Sequence, residues 1–197
     1  MRSKNYSQEQ LFSIARYANA DKSSSLVCFL YPKSIKGTAI LLTKDEQTSS
    51  TLVYFPSLGR SRLIPKEDEN NEAFGLGLSF AEIQNSSAKL QNRGEISREG
   101  HTYYKLSKEH GNQKTIYFID KQSMIIKEMD IYENNKLIKK IVIDALSLLD
   151  GKKFVTKWHI NDYVKDKETS YSVNKKSITT SFNKRIFKRS AISHCKR

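Results

Sequence analysis

The sequence predicts a mainly β protein of α+β class, a meander of antiparallel strands broken by one helix. Three observations carry this reading. The apolar runs are short and end at proline or polar clusters, which suits strands and is too brief for helices. The connectors between them span only a few residues, whereas a parallel crossover needs a dozen or more. Along the later runs, apolar residues recur at every second position, the period of a strand with one dry and one wet face.

In chain order, Gln10 to Ala20 reads as a strand that enters Leu26–Tyr31 through the turn Asp21-Lys22-Ser23. Pro32 ends that second strand because proline brings no N–H to a ladder. Thr38–Thr43 and Thr51–Phe55 follow, the latter stopped by Pro56, with the polar segment Lys44 to Ser50 as their hairpin loop. Between Pro65 and Gln91 the chain turns acidic and then helical, with Phe80, Ile83 and Leu90 on one face. Ser79, with Glu82 three residues later, forms a capping-box pattern, so a helix is expected from about Phe80 to Gln91. Strands are then expected at Thr115–Ile119, Met124–Tyr132, Lys136–Leu146, Lys153–Val164 and Glu168–Phe182. Their connectors, such as Glu133-Asn-Asn135 and Asp150-Gly151-Lys152, are rich in residues that tolerate turn geometry.

The alternation assigns faces. Phe154, Trp158 and Ile160 oppose Lys157, His159 and Asn161; Leu137, Ile141 and Ile143 oppose Ile138, Lys140 and Val142; Ile125, Met129 and Ile131 oppose Glu128 and Asp130. So many one-faced strands with a single helix leave a large apolar surface with little to cover it. Such a sheet curls on itself, pairs with a second sheet, or keeps a groove for an apolar guest.

The 197 residues suit a single domain, 1–197, with 184–197 as a basic C-terminal tail. The 34 Lys+Arg against 21 Asp+Glu give a net charge of +13, which attracts nucleic acid, anionic lipid or acidic proteins. The basic residues are spread along the chain, and no aromatic RNA-binding strand or zinc-finger pattern accompanies them. A solvated basic surface with a frayed tail therefore outweighs a nucleic-acid site. No run of apolar residues is long enough to span a membrane, and Met1 to Gln10 lacks the apolar core of a secretory signal. The two cysteines, Cys28 and Cys195, stand 167 positions apart, a spacing that gives no reason to expect pairing. Cys28 reads as a buried, inert thiol.

One stretch resembles a known family. Tyr31-Pro-Lys-Ser-Ile-Lys-Gly-Thr38, then Leu41, then Val53-Tyr-Phe-Pro-Ser-Leu-Gly-Arg-Ser-Arg-Leu-Ile64 is similar to a block of the LolA-like outer-membrane lipoprotein-sorting proteins. Gly75-Leu-Gly-Leu-Ser-Phe-Ala-Glu-Ile83 resembles the next block, although Gly77 stands where the family usually has an acid. Tyr117-Phe-Ile-Asp120, the Lys127-to-Lys139 hairpin and the Trp158 strand follow in the family's order, so the resemblance covers about Phe12 to Ile192. It implies a strongly curved antiparallel sheet, an incomplete β-barrel, with one or two helices over the concave side. It also implies a non-enzymatic periplasmic carrier that holds lipoprotein acyl chains or another lipid. The family's leader and first helix are not seen ahead of Leu11, so an N-terminally shortened member, or a gene start placed too late, is expected.

On that reading the groove candidates are Leu52, Tyr54, Ile116, Phe118, Met129, Ile131, Ile141, Phe154, Trp158 and Ile160, each of which serves equally as ordinary core. Arg60 and Arg62 are headgroup candidates at the rim; the competing reading pairs them with Glu67, Asp68 and Glu69. No catalytic residues, metal ligands or cofactor emerge. The four histidines are scattered, and neither a nucleophile elbow nor a phosphate loop is present. Two other functions stay open: an envelope sensor or accessory module that binds a protein partner, including one beside an inner-membrane transporter, and a basic nucleic-acid-binding protein.

Overall fold

The computed structural model describes residues 8–19, 21–84, 90–149, 151–179 and 181–195. Among the described residues the protein is mainly β, with two antiparallel sheets, few helices and no closed barrel. It divides into two compact units, described separately below.

The first unit holds a five-stranded meander: β1 (Leu11–Ala18), β2 (Ser23–Tyr31), β3 (Ala39–Lys44), β4 (Ser49–Phe55) and β5 (Arg60–Leu63), paired in sequence order. The continuous apolar runs of β2 and β3 have a physical reason, because both faces of this sheet are dry. Leu26, Cys28, Ala39, Leu41 and Leu52 form a buried cluster on one face. Val27, Phe29, Ile40, Leu42 and Val53, also buried, alternate with them and lie on the other. Helix α1 (Phe80–Gln84) packs against β3.

The capping box forms as expected. Ser79 N–H donates to Glu82 Oε2 (2.7 Å) and Glu82 N–H to Ser79 Oγ (3.1 Å). The helix is nevertheless shorter than expected, since 85–89 lie outside the described residues and Gln91 already belongs to a strand.

The Tyr31-to-Thr38 block acquires a physical meaning. A cis Tyr31–Pro32 peptide starts the turn, Gly37 closes it at φ +83°, and Gly37 N–H donates to Phe29 O (2.8 Å). A Cβ on Gly37 would meet Pro56 at 3.5 Å, an ordinary contact, so the positive φ rather than crowding calls for glycine here.

The C-terminal segment is not the frayed tail expected from its charge. Residues 184–187 and 189–194 form 3₁₀ turns that lie on β2, β3 and β4, with Ile192 2% exposed and Ile186 and Phe187 packed against the cluster. The two cysteines, whose spacing left their pairing undecided, form a disulfide, Cys28–Cys195, with Cα atoms 5.7 Å apart. Separation in sequence carries no information about that distance in space. Here β2 and the last turn meet on one face of one sheet.

The second unit is a seven-stranded meander: β6 (Gln91–Arg98), β7 (His101–His110), β8 (Gln113–Asp120), β9 (Ile125–Glu133), β10 (Lys136–Leu149), β11 (Lys152–Asp162) and β12 (Lys167–Ser172). The β6–β7 hairpin went unread in the sequence because β6 is polar on both sides and β7 has only Tyr103, Tyr104 and Leu106 among polar residues. Its tight turn, Glu99 (φ 50°) and Gly100 (φ 78°), is the one signal that marks it. The last strand ends at Ser172 rather than at Phe182, and 175–177 turn as 3₁₀ helix under an Asn174 cap.

Candidate functional site

Cross-strand partners share a face, so the register of the seven-stranded sheet decides which candidates lie together. One row runs Leu106, Tyr117, Met129, Ile141, Ile160 and Thr169 across six strands. Beside it lie Tyr104, Ile119 and Ile126 on one flank and Ile143, Trp158 and Tyr171 on the other. Beyond Trp158 the β10–β11 ladder shifts register twice, between Ile143 and Ala145 and between Ala145 and Leu146, so alternation does not carry this face on to Phe154. Ile141 and Ile160 are buried, whereas Leu106, Tyr117, Met129, Phe154 and Trp158 are half-buried. Burial pushes the Tyr117 phenol above its ordinary pKa, as a low-polarity face requires.

The next row on this face is Lys108, Thr115, Ile131, Lys139, Asp162 and Lys167, so a polar border carrying the buried Ile131 closes the apolar surface. Part of the apolar face is covered within its own unit by the segment Ala73–Gly77. Tyr171 donates its hydroxyl to the Leu76 carbonyl, and Lys167 Nζ lies 3.5 Å from the Gly75 carbonyl. At Gly77 (φ +62°) a Cβ would come within 3.0 Å of Thr169 Oγ1 and 3.7 Å of Ile160 Cδ1. The acid that the family resemblance led one to expect at Gly77 therefore has no room; close approach to β12 explains the glycine.

The opposite face is charged. Its rows are Lys105, Phe118, Glu128, Val142, His159 and Ser170, then Ser107, Ile116, Asp130, Lys140, Asn161 and Glu168. Arg98 lies 4.2 Å above the Phe118 ring and 3.3 Å from Glu128, while Lys140 pairs with Glu128 (2.5 Å) and Asp130 (2.8 Å). Burial pulls the Lys140 pKa down, but the hydrogen bonds from Asp130 and Glu128 outweigh it and hold the ammonium above its usual range. A cavity of about 490 Å³ opens here, lined by Arg98, His101, Phe118, Asp120, Lys127 and Glu128 among others.

The structure thus separates the sequence-derived candidates. Met129, Ile131, Ile141, Trp158 and Ile160 share the apolar-side face, while Phe154 lies beyond the bulges of the β10–β11 ladder and is not brought into that row. Ile116 and Phe118 are on the charged side, because an uninterrupted Ile-Tyr-Phe-Ile run is apolar at both parities and conceals its register. On that strand the apolar-face residues are Tyr117 and Ile119. Leu52 and Tyr54 belong to the first unit, facing the C-terminal turns. Arg60 and Arg62 lie exposed on the edge strand β5, opposite Phe55 and Val53. Among the described residues neither pairs with Glu67, Asp68 or Glu69, so the salt-bridge reading of the two arginines is not realised.

Among the described residues no three His, Cys, Asp or Glu side chains cluster to hold a metal, and no helix is long and apolar enough to cross a membrane. His159 Nδ1 lies 3.0 Å from both Asp144 carboxylate oxygens on the charged side, and His101 is 3.9 Å from Asp120.

Comparison with known proteins agrees with this architecture. A family model whose description reads "Uncharacterized protein" matches residues 21–194. No curated protein sequence matches the chain. Among solved structures, a DUF1329 family protein from Desulfovibrio piger superposes with a TM-score of 0.81 at 19% identity, covering 93% of this chain and 83% of that one. An outer membrane lipoprotein-sorting protein domain from Vibrio parahaemolyticus gives a TM-score of 0.81 at 15% identity over the same shares. A LolA superfamily protein from Nitrosomonas europaea gives 0.64 at 15% identity, covering 94% and 92%. Identities this low speak for the fold alone. The chain belongs to the family described by the matching model, and its fold is the LolA-like fold of lipoprotein-sorting proteins.

Proposed function

We propose that residues 1–197 act as one non-enzymatic carrier domain that holds the acyl chains of a lipoprotein, or another lipid, for transfer toward the outer membrane. The observation that carries this reading is the asymmetry of the seven-stranded sheet: a half-buried apolar face of Leu106, Tyr117, Met129 and Trp158 backed by a charged one. Each methylene that moves from water onto such a face contributes about 0.8 kcal/mol, so part of one acyl chain suffices for useful affinity. No bond is made or broken, and release falls to a partner with a better site, such as an envelope receptor or an inner-membrane transporter.

A periplasmic location is supported by the Cys28–Cys195 disulfide, since such bonds persist in oxidising compartments and are rare in the cytosol. Arg60 and Arg62, exposed and unpaired on an edge strand, are proposed as contacts to a lipid headgroup.

The test is native mass spectrometry of freshly purified protein together with titration of a fluorescent fatty acid. Co-purified lipid and saturable uptake are expected. Folded protein that carries no lipid and takes up no probe would refute the proposal.

A further inference from the structure

The C-terminal turns carry two faces of opposite character. Ile186, Phe187 and Ile192 point into the five-stranded sheet and Cys195 is bonded to Cys28, so the segment is held down. Lys184, Arg185, Lys188 and Arg189 are all exposed on the same segment. Among the described residues none of the four forms an ion pair, and Lys184 lies 4.1 Å over the Tyr17 ring. The last acid in the chain is Glu168, so nothing on this stretch neutralises them locally. Phe182 sits 37% exposed beside them, edge-on to Phe187 at 5.7 Å.

We infer that this disulfide-clamped basic strap is a docking surface for an anionic membrane, with Lys184, Arg185, Lys188 and Arg189 on lipid phosphates and Phe182 at the headgroup boundary. Unpaired cations have desolvated no partner and keep their full attraction for an external anion. A basic cluster next to an exposed aromatic suits the bilayer interface, where charge and a partly apolar ring are satisfied together. The buried disulfide favours an oxidising compartment, in which membrane phosphate rather than nucleic acid is the abundant polyanion. The strap's hold on the sheet comes from three apolar side chains and one covalent bond, so docking depends on the disulfide. The inference does not rest on acyl-chain binding, because it concerns a different unit and a different readout.

The experiment is co-sedimentation of the full chain with phosphatidylcholine vesicles with and without phosphatidylglycerol. Binding is expected only with the anionic lipid and falls as salt rises. The quadruple variant Lys184→Glu, Arg185→Glu, Lys188→Glu, Arg189→Glu loses it by about 600-fold, at roughly fivefold per cation removed. Its melting temperature and fatty-acid uptake report separately on folding and on the carrier reading. Lys175→Glu with Lys176→Glu, a charge change off the strap, leaves most binding intact, and Cys28→Ser with Cys195→Ser weakens it. Equal binding by the quadruple variant, equal loss in the Lys175/Lys176 variant, or binding to DNA without binding to vesicles would each overturn the inference.

Discussion

Trp158 stacks face to face on Tyr171, with ring centroids 4.7 Å apart and planes 6° from parallel, and the Tyr171 hydroxyl reaches the Leu76 carbonyl. One aromatic pair thus joins two strands of the seven-stranded sheet to the short segment lying over them. Tyr171→Phe keeps the stack and removes only the hydrogen bond, so it is expected to cost about 1 kcal/mol. Trp158→Ala also removes the packing and is expected to cost about 3 kcal/mol. Urea denaturation of both variants checks the order.

Gly77→Ala combines a positive φ with a Cβ only 3.0 Å from Thr169 Oγ1. The expected loss is about 1–2 kcal/mol, read as a lower urea midpoint. Gly100→Ala, where a Cβ would meet nothing within 4 Å, isolates the backbone share of that cost.

The disulfide closes a loop of 167 residues, long enough for a large restriction of the unfolded chain. Reduction, or Cys28→Ser with Cys195→Ser, is expected to destabilise the fold by about 5 kcal/mol on the chain-entropy account. Guanidinium unfolding with and without a reductant measures it.

Asp45 caps the β3–β4 turn, accepting from Thr48 N–H (2.7 Å), the Thr48 hydroxyl (2.9 Å) and Gln47 N–H (3.1 Å). The Thr48 backbone N–H is the leading cause that holds the Asp45 pKa below its ordinary value of 3.8. A depressed carboxylate stabilises the fold above its unfolded pKa, and that stability is lost as pH falls from about 3.8 through the lower folded value. Asp45→Asn is therefore expected to flatten the acid limb of the stability curve and to leave its slope near neutral pH unchanged.

For the carrier reading, Met129→Glu places a charge in the middle of the apolar row and is expected to abolish fatty-acid uptake. Lys105→Glu, on the opposite side of the same sheet, is expected to leave uptake intact. Equal loss in both would show that the probe does not use the apolar face.

Much of this architecture was legible in the order of the residues. Short runs stopped by Pro32 and Pro56, turns at Asn134-Asn135, and the Ser79/Glu82 box all act through local backbone chemistry, and each formed where it was expected. The faces in the middle of β9, β10 and β11 were legible as well, because Met129 against Glu128, or Trp158 against His159, differ in polarity at adjacent positions; Ile125 and Leu137, expected on the same face, are parted from that row by bulges and pair with Asp120 and Tyr132. Ile116, Tyr117, Phe118 and Ile119 do not differ in that way, and their faces emerged only from the ladder.

By itself the sequence determined local features: the bounds and turns of most strands outside β6, β7 and the end of β12, which central strands have one wet side, and a motif block that points to the LolA-like fold. Tertiary structure decided what depends on partners remote in the chain. It bonded Cys28 to Cys195, turned a charged tail into a strap with a buried side, and required glycine at Gly77 because Thr169 comes up against it. Alternation and turn chemistry act within a few residues, whereas register, pairing and close approach are set by segments that the chain brings together only on folding.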